Sequence, residues 1–272
     1  ARYAQQVAEA GKSIYPLPTF VNAALNRPNL QPGQYPSGGP LPHLLDIWKA
    51  AAPAIDLRVP DFYNPDFTYW NDLYTRQGDA LLIPEIRLDQ NNGAKAFYAI
   101  GHYGALGFSP FSIDGTSRPE QETVGKAYKV LRPLLPLISQ ANVKKQLAGA
   151  LVDKANPEQK ITLGDFVLTV KHDYTMGWSS NAQDDYWPEG GATIIQTGPE
   201  DFYVAGTGVV ITLAHKNPQK LVGLASIFEG DFVDGKWRSG RNLNGDENHQ
   251  GRHLRINTGD YSIQKLRVYT YQ

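Results

Sequence analysis

Residues 80–111 read ALLIPEIRLDQNNGAKAFYAIGHYGALGFSPF, and they decide the fold of the first half of the chain. Ala80 to Ile86 is an apolar run of strand length. Asn92 stands where a helix cap would, and Ala96, Phe97 and Ile100 fall on one face of the helix that follows. Ala105 to Phe111 is a second apolar run, punctuated by glycine and proline. Strand, helix, strand in that order is the unit of a parallel sheet. The same alternation extends in both directions. Upstream lie a strand from Ile14 to Val21, a proline- and glycine-rich loop from Asn26 to Pro42, and a helix carrying Leu44, Ile47, Trp48 and Ala51. A strand from Ile55 to Tyr63 and a helix carrying Phe67, Trp70, Leu73 and Tyr74 follow. Downstream, a helix starting near Ser117-Arg118-Pro119 carries the stripe Val124, Tyr128, Leu131, Leu135 and Ile138. The opening ARYAQQVAEAGK reads as a helix already under way, with Gly11 as its C-terminal cap.

Four strand–helix units preceded by a helix repeat every roughly 25–40 residues, the spacing of a (β/α)8 barrel, which usually needs about 250 residues for eight units. Four units predict either an open doubly wound sheet or the second half of such a barrel. The mid-helix opening favours the half-barrel, with the chain a piece of a longer protein.

After Ala141 the period changes. Short apolar runs at 161–163, 166–170, 193–197, 202–205, 208–213, 221–229, 236–239, 253–256, 261–266 and 268–271 are punctuated by Gly, Asp, Asn and Pro. That spacing predicts a β-sandwich or jelly roll. The unbroken Val209–Leu213 run predicts a central strand. The expected organisation is therefore residues 1–142 as half of a (β/α)8 barrel and 143–272 as an all-β sandwich domain.

Composition narrows the function classes. Of 272 residues, 41% are hydrophobic and 19% charged, which suits a packed core and excludes a disordered or coiled-coil chain. The formal charge is −1, and each half is balanced, so nucleic acid is not an expected partner. No apolar run approaches the roughly 18–20 residues of a membrane helix, so no membrane partner is expected. There is no cysteine, hence no disulfide and no thiol nucleophile. The six histidines show no metal-ligand spacing, and there is no phosphate loop, dinucleotide fingerprint or nucleophile elbow. No cofactor is expected.

In α/β barrels the chemistry sits at the C-terminal ends of the strands. Those ends offer Asn22, then Asp61 and Tyr63, then Glu85, then Ser109 and Phe111. Amides and carboxylates suit sugar hydroxyls, and flat rings suit the apolar sugar face. Glu85 follows four apolar residues at the end of a buried strand, a costly place for a carboxylate unless it is paired or used. Arg87, two positions on and on the same face, is the structural alternative as its partner. Asp61 reads as a ligand of a substrate hydroxyl or as a turn cap, and Tyr63 as an orienting hydroxyl or a packing residue. The stretch Asn242–Arg252 and the indoles Trp178, Trp187 and Trp237 read either as glycan or ion sites or as a polar loop and core seals.

Three segments of the first half, LPHLLDIWKAAAPAIDLRVPDFYNPDF, LLIPEIR and AFYAIGHYGALGFSPFSIDG, resemble the β-galactosidases of glycoside hydrolase family 35. The later segment VGLASIFEGDFVDGKWRSGRNLNGDENHQGRHLRI resembles the C-terminal domain of that family's bacterial branch. The resemblance implies a retaining exo-β-galactosidase on a (β/α)8 barrel, with no cofactor and a periplasmic or extracellular location. It implies that the four strands are barrel strands five to eight and that Glu85, in Ile-Pro-Glu-Ile, is the nucleophile. Tyr63 would hold that nucleophile, and Asn22, Asp61 and Phe111 would line the sugar subsite. The family's acid/base lies in the first half of the barrel, and no carboxylate here matches it. The expected partner is thus the N-terminal half of the same barrel, and this chain alone is expected to be inactive. The alternatives are a related clan A glycosidase of different sugar specificity, such as an arabinopyranosidase, or a non-catalytic carbohydrate-binding protein.

Overall fold

The computed structural model describes all 272 residues, Ala1–Gln272. It is mixed α/β, with one parallel sheet followed by two antiparallel sheets. The chain forms two compact units, residues 1–88 with 105–116, and residues 89–104 with 117–272. No helix is long and apolar enough to cross a membrane.

The first unit opens with helix α1 (Arg2–Ile14). Strands β1 (Phe20–Ala24), β2 (Leu57–Phe62), β3 (Ile83–Ile86) and β4 (Phe108–Pro110) pair in the order β1-β2-β3-β4, all parallel. Helices α2 (Leu45–Ala51) and α3 (Phe67–Thr75) lie in the first two crossovers. Phe67 of α3 packs on Phe62 with ring centres 4.9 Å apart, so α3 covers the face of β2 to which Phe62 points.

Two expectations for this unit need correction. Helix α1 does not stop at Gly11. It runs to Ile14, Ser13 Oγ bonds back to the Ala10 carbonyl at 2.7 Å, and Lys12 pairs with Asp56 at 2.6 Å. The first strand does not span Ile14–Val21; it begins at Phe20. Pro16 and Pro18 lack the amide donors that a ladder needs. The loop after β1 folds back on it, and Ala24 bridges to Gly38. Gly39, at φ +87°, lies so close that a Cβ there would stand 2.5 Å from the Asn22 carbonyl oxygen.

The second unit contains α4 (Asn92–Tyr103), α5 (Thr123–Leu131) and α6 (Leu135–Val143). A single helix from Ser117 was expected. Instead residues 119–121 form a turn, and a 3-10 turn at Arg132–Leu134, carrying Pro133, separates α5 from α6. Ten strands follow: β5 (Leu147–Val152), β6 (Glu158–Leu163), β7 (Phe166–His172), β8 (Gly190–Gln196), β9 (Asp201–Thr207), β10 (Val209–His215), β11 (Leu221–Val233), β12 (Lys236–Asn242), β13 (Leu254–Ile256) and β14 (Ser262–Tyr271). They form a four-stranded sheet, β13-β10-β7-β6, and a six-stranded one, β12-β11-β14-β9-β8-β5. The run Val209–Leu213 is indeed central, paired with β13 on one side and β7 on the other.

Facing side chains of the two sheets make one core that includes Val152, Phe166, Val170, Ile194, Phe202, Ile211 and Leu266. Helix α4 lies on the other face of the six-stranded sheet. There, Cβ atoms at Gly101, Gly149 and Gly191 would stand 2.6, 2.4 and 2.3 Å from Ala148 O, His102 N and Ala94 O. Helix and sheet thus meet backbone to backbone, which only glycine allows. Buried Thr193 Oγ1 adds a 2.7 Å bond to the Phe97 carbonyl. The two units therefore cross the linear division expected at 142/143: the sheets carry the helices before that point with them.

Candidate functional site

Alternation along the parallel strands selects the site. Asp61 is the register neighbour of Ala24 on one side and of Glu85 on the other. Asn22 lies two residues before Ala24, and Tyr63 two residues after Asp61. Asn22, Asp61, Tyr63 and Glu85 thus share one face, opposite the one Phe62 presents to α3. The side chains meet there as two pairs. Asn22 Nδ2 donates to both oxygens of Asp61, at 3.0 and 2.8 Å. Tyr63 donates its hydroxyl to Glu85 Oε1 at 2.5 Å.

Burial and neighbouring charge both act on Asp61. Asp61 is 8% exposed. Burial raises its pKa above the ordinary carboxylate value; Asn22 pulls it back, and the neighbouring Glu85 charge raises it again. Burial, reinforced by the hydrogen bond to Glu85, pushes the Tyr63 phenol up to about 12. Tyr63 therefore stays a donor throughout the physiological range, and it fixes one oxygen of Glu85.

Phe111 joins this group only through its backbone. Its amide donates to the Ile86 carbonyl at 2.8 Å, just beyond Glu85, while the ring is 56% exposed. Arg87 is exposed, and its guanidinium lies 5.9 Å from the Tyr63 ring centre. The sequence reading missed Arg27. Its guanidinium sits 4.7 Å over Tyr63 and 5.8 Å from Tyr35, bracketing the phenol that holds Glu85. The only signal for it was a basic residue just past the end of a parallel strand, in a loop without periodicity. The loop is further fixed by Tyr74, whose hydroxyl donates to the Pro40 carbonyl at 3.0 Å, and by Asn64, which donates to the Asn26 carbonyl at 2.8 Å.

Side chains of the second unit singled out from sequence divide by their surroundings. Trp187 stacks on buried His172, and Trp237 packs against Tyr203 and Phe232, so both seal aromatic clusters. Glu247 in the polar stretch is engaged by Arg241 at 3.0 Å and accepts from the Asn244 amide, closing a capping box. Trp178 stays exposed. No group of three or more His, Cys, Asp or Glu residues is placed to hold a metal ion.

No curated protein matches the chain. The profile of a domain of unknown function (DUF5597) matches residues 124–255, which lie wholly in the second unit and outside the sheet that carries Glu85.

Proposed function

We propose that the parallel sheet is barrel strands five to eight of a (β/α)8 glycosidase, that the all-β unit is its accessory sandwich, and that the whole is a retaining exo-β-galactosidase. The sequential strand order supports the barrel reading, since barrel strands pair with their chain neighbours, whereas doubly wound sheets reverse order at a switch point. The observation that carries the chemistry is the 2.5 Å bond from Tyr63 to Glu85 Oε1, at the strand ends and on the face away from α3.

In this reading Glu85 Oε2 attacks the anomeric carbon while Tyr63 holds Oε1. The glycosidic bond breaks, and the leaving oxygen takes a proton from the acid/base. Water then attacks the glycosyl ester, regenerates the Glu85 carboxylate and gives up its proton to the same group. Asp61, oriented by Asn22, accepts from a sugar hydroxyl. The acid/base comes from the first four strands of the barrel, so residues 1–272 alone turn over no galactoside.

The test is incubation of the full-barrel protein with a 2-fluoro-galactoside, followed by peptide mass analysis. A 2-deoxy-2-fluorogalactosyl adduct on the Glu85 peptide is expected, together with loss of turnover in Glu85→Gln. An adduct on another carboxylate, or undiminished turnover in that variant, would overturn the assignment. A panel of chromogenic glycosides, including an arabinopyranoside, reads the sugar specificity.

A further inference from the structure

The second unit carries a cluster that the proposed glycosidase chemistry does not use. Trp178 follows a 3-10 turn at Asp173–Met176, and its indole is 50% exposed. His249 lies edge-on to it, with ring centres 5.3 Å apart, and His253 is 5.8 Å away. The Arg255 guanidinium stacks 5.0 Å from the indole centre, and Asp173 Oδ1 accepts from Arg255 Nε at 2.6 Å. The indole is thus held by an arginine whose charge Asp173 balances and by two imidazoles, while half of the residue's surface stays open to solvent.

Two further features mark the cluster. His253 is only 3% exposed, yet its Nε2 has no hydrogen-bond partner. Burial, followed by the charges of His249 and Arg255, lowers its pKa, so near neutrality it is an uncharged ring with an unmet nitrogen. Arg252 makes no ion pair; its guanidinium rests on His249 Nε2 at 3.1 Å. Of the surrounding acids, Asp173 is held by Arg255 and Glu247 by Arg241, leaving Asp246 on the preceding turn.

The loop that presents these groups is rigidly built. His249 and Gln250 both adopt left-handed backbone, at φ 51° and 58°. Asn248 ties the loop down, donating to the Leu243 carbonyl at 3.1 Å and accepting from the Gly251 amide at 2.9 Å.

We propose that Trp178, His249 and Arg252, backed by buried His253, form a binding site for a carboxylate-bearing saccharide, a uronic-acid unit of a glycan. An exposed indole takes the apolar face of a pyranose ring. A planar guanidinium without a carboxylate partner matches a planar carboxylate through two parallel bonds. The 3.1 Å contact between His249 Nε2 and the guanidinium holds that fork beside the indole. The site is independent of the Glu85 chemistry and stands or falls separately from it.

The test is titration of the 272-residue chain with trigalacturonate and with neutral galactotriose, by calorimetry and by the imidazole signals of His249 and His253. Trigalacturonate should bind, more weakly as salt rises, and Trp178→Ala and Arg252→Ala should each lower affinity at least tenfold. Arg252→Lys, which keeps the charge but loses the fork, should recover only part of it. Trp178→Phe controls for folding, because it keeps a ring in place and should bind better than Trp178→Ala. No binding at millimolar trigalacturonate, equal binding of galactotriose, or undiminished affinity in Trp178→Ala would each overturn the proposal.

Discussion

Replacing Glu189 with glutamine should favour the folded protein increasingly as pH rises. Glu189 sits at the entrance to β8 with its side chain 20% exposed, and its Oε2 is buried with no hydrogen-bond partner. The nearest cation, Lys95, reaches its other oxygen only at 3.8 Å and lies nearer Asp89, at 3.5 Å. An ion pair that long does not repay the loss of water. Burial therefore pushes Glu189 up from 4.5 to about 7, against the pull of Lys95 and with added repulsion from Asp89 and Asp153.

The sign follows from proton linkage. Between pH 4.5 and about 7 the folded chain binds the Glu189 proton and the unfolded chain has released it, so stability falls as pH rises through this window and the full penalty stands above it. At 1.36 kcal/mol per pKa unit the penalty is about 3 kcal/mol. Glutamine cannot ionise. The stability of Glu189→Gln relative to the native protein should thus rise by about 3 kcal/mol between pH 4 and pH 8, whatever its value at either end. Denaturant unfolding of both proteins at the two pH values, followed by tryptophan fluorescence, measures this difference, and other titrating groups cancel to first order. A change below about 1 kcal/mol would refute the reasoning, because it would mean that the carboxylate is as well solvated in the fold as in the open chain.

Three further expectations can be checked directly. Tyr63→Phe removes the donor to Glu85 Oε1; losing a bond to a charged group, worth about 1.5–3 kcal/mol, should slow galactoside turnover of the full-barrel enzyme roughly 10–100-fold, and unchanged kcat would argue against an orienting role. Asn22→Ala strips both oxygens of buried Asp61 of their donor, so NMR titration should find the Asp61 pKa higher still; an unmoved value would mean that Asn22 does not stabilise the charge. Gly191→Ala would place a Cβ 2.3 Å from the Ala94 carbonyl oxygen and should cost about 2–4 kcal/mol in thermal unfolding, whereas a neutral result would mean that α4 can lift off the sheet freely.

Much of the first unit was legible because its strands and helices keep a regular period. β3 and α4 follow directly from the quoted stretch, and β2 and α3 from theirs. The rule that barrel chemistry sits at strand ends selected Asn22, Asp61, Tyr63 and Glu85 along with Ser109 and Phe111; that the first four share one face follows only from the strand register. The failures occurred where a local signal was overruled. Tyr15 and Leu17 look like strand residues until their proline neighbours are counted. Gly11 looks like a cap, but the helix continues through it to reach Asp56. β5 went unrecognised because Leu147-Ala148-Gly149-Ala150 has weak strand propensity; its small residues exist to admit α4, a demand that no local window reveals. Arg27 and Glu189 were illegible for a related reason: Tyr63 and Lys95, which face them, are far away in sequence.

The same close packing explains why the linear boundary and the spatial one differ. In a simple strand–helix–strand unit the helix between β3 and β4 would be read with its own sheet. Here α4 has its flattest side, the one with Gly101, against β5 and β8, where glycines and a threonine receive it. β8 is consequently buried along its whole length, with one face in the core between the antiparallel sheets and the other under α4. A strand covered on both faces admits a polar side chain only where it finds a partner, as Thr193 does on the Phe97 carbonyl, which accounts for the otherwise apolar run Gly190–Ile195. The helix is therefore as much a part of the β unit as any of its strands, although it precedes the first of them by more than forty residues. Stability at this contact is set by backbone approach rather than by large side chains, so hydrophobic patterning alone could not have assigned α4 to the unit that holds it.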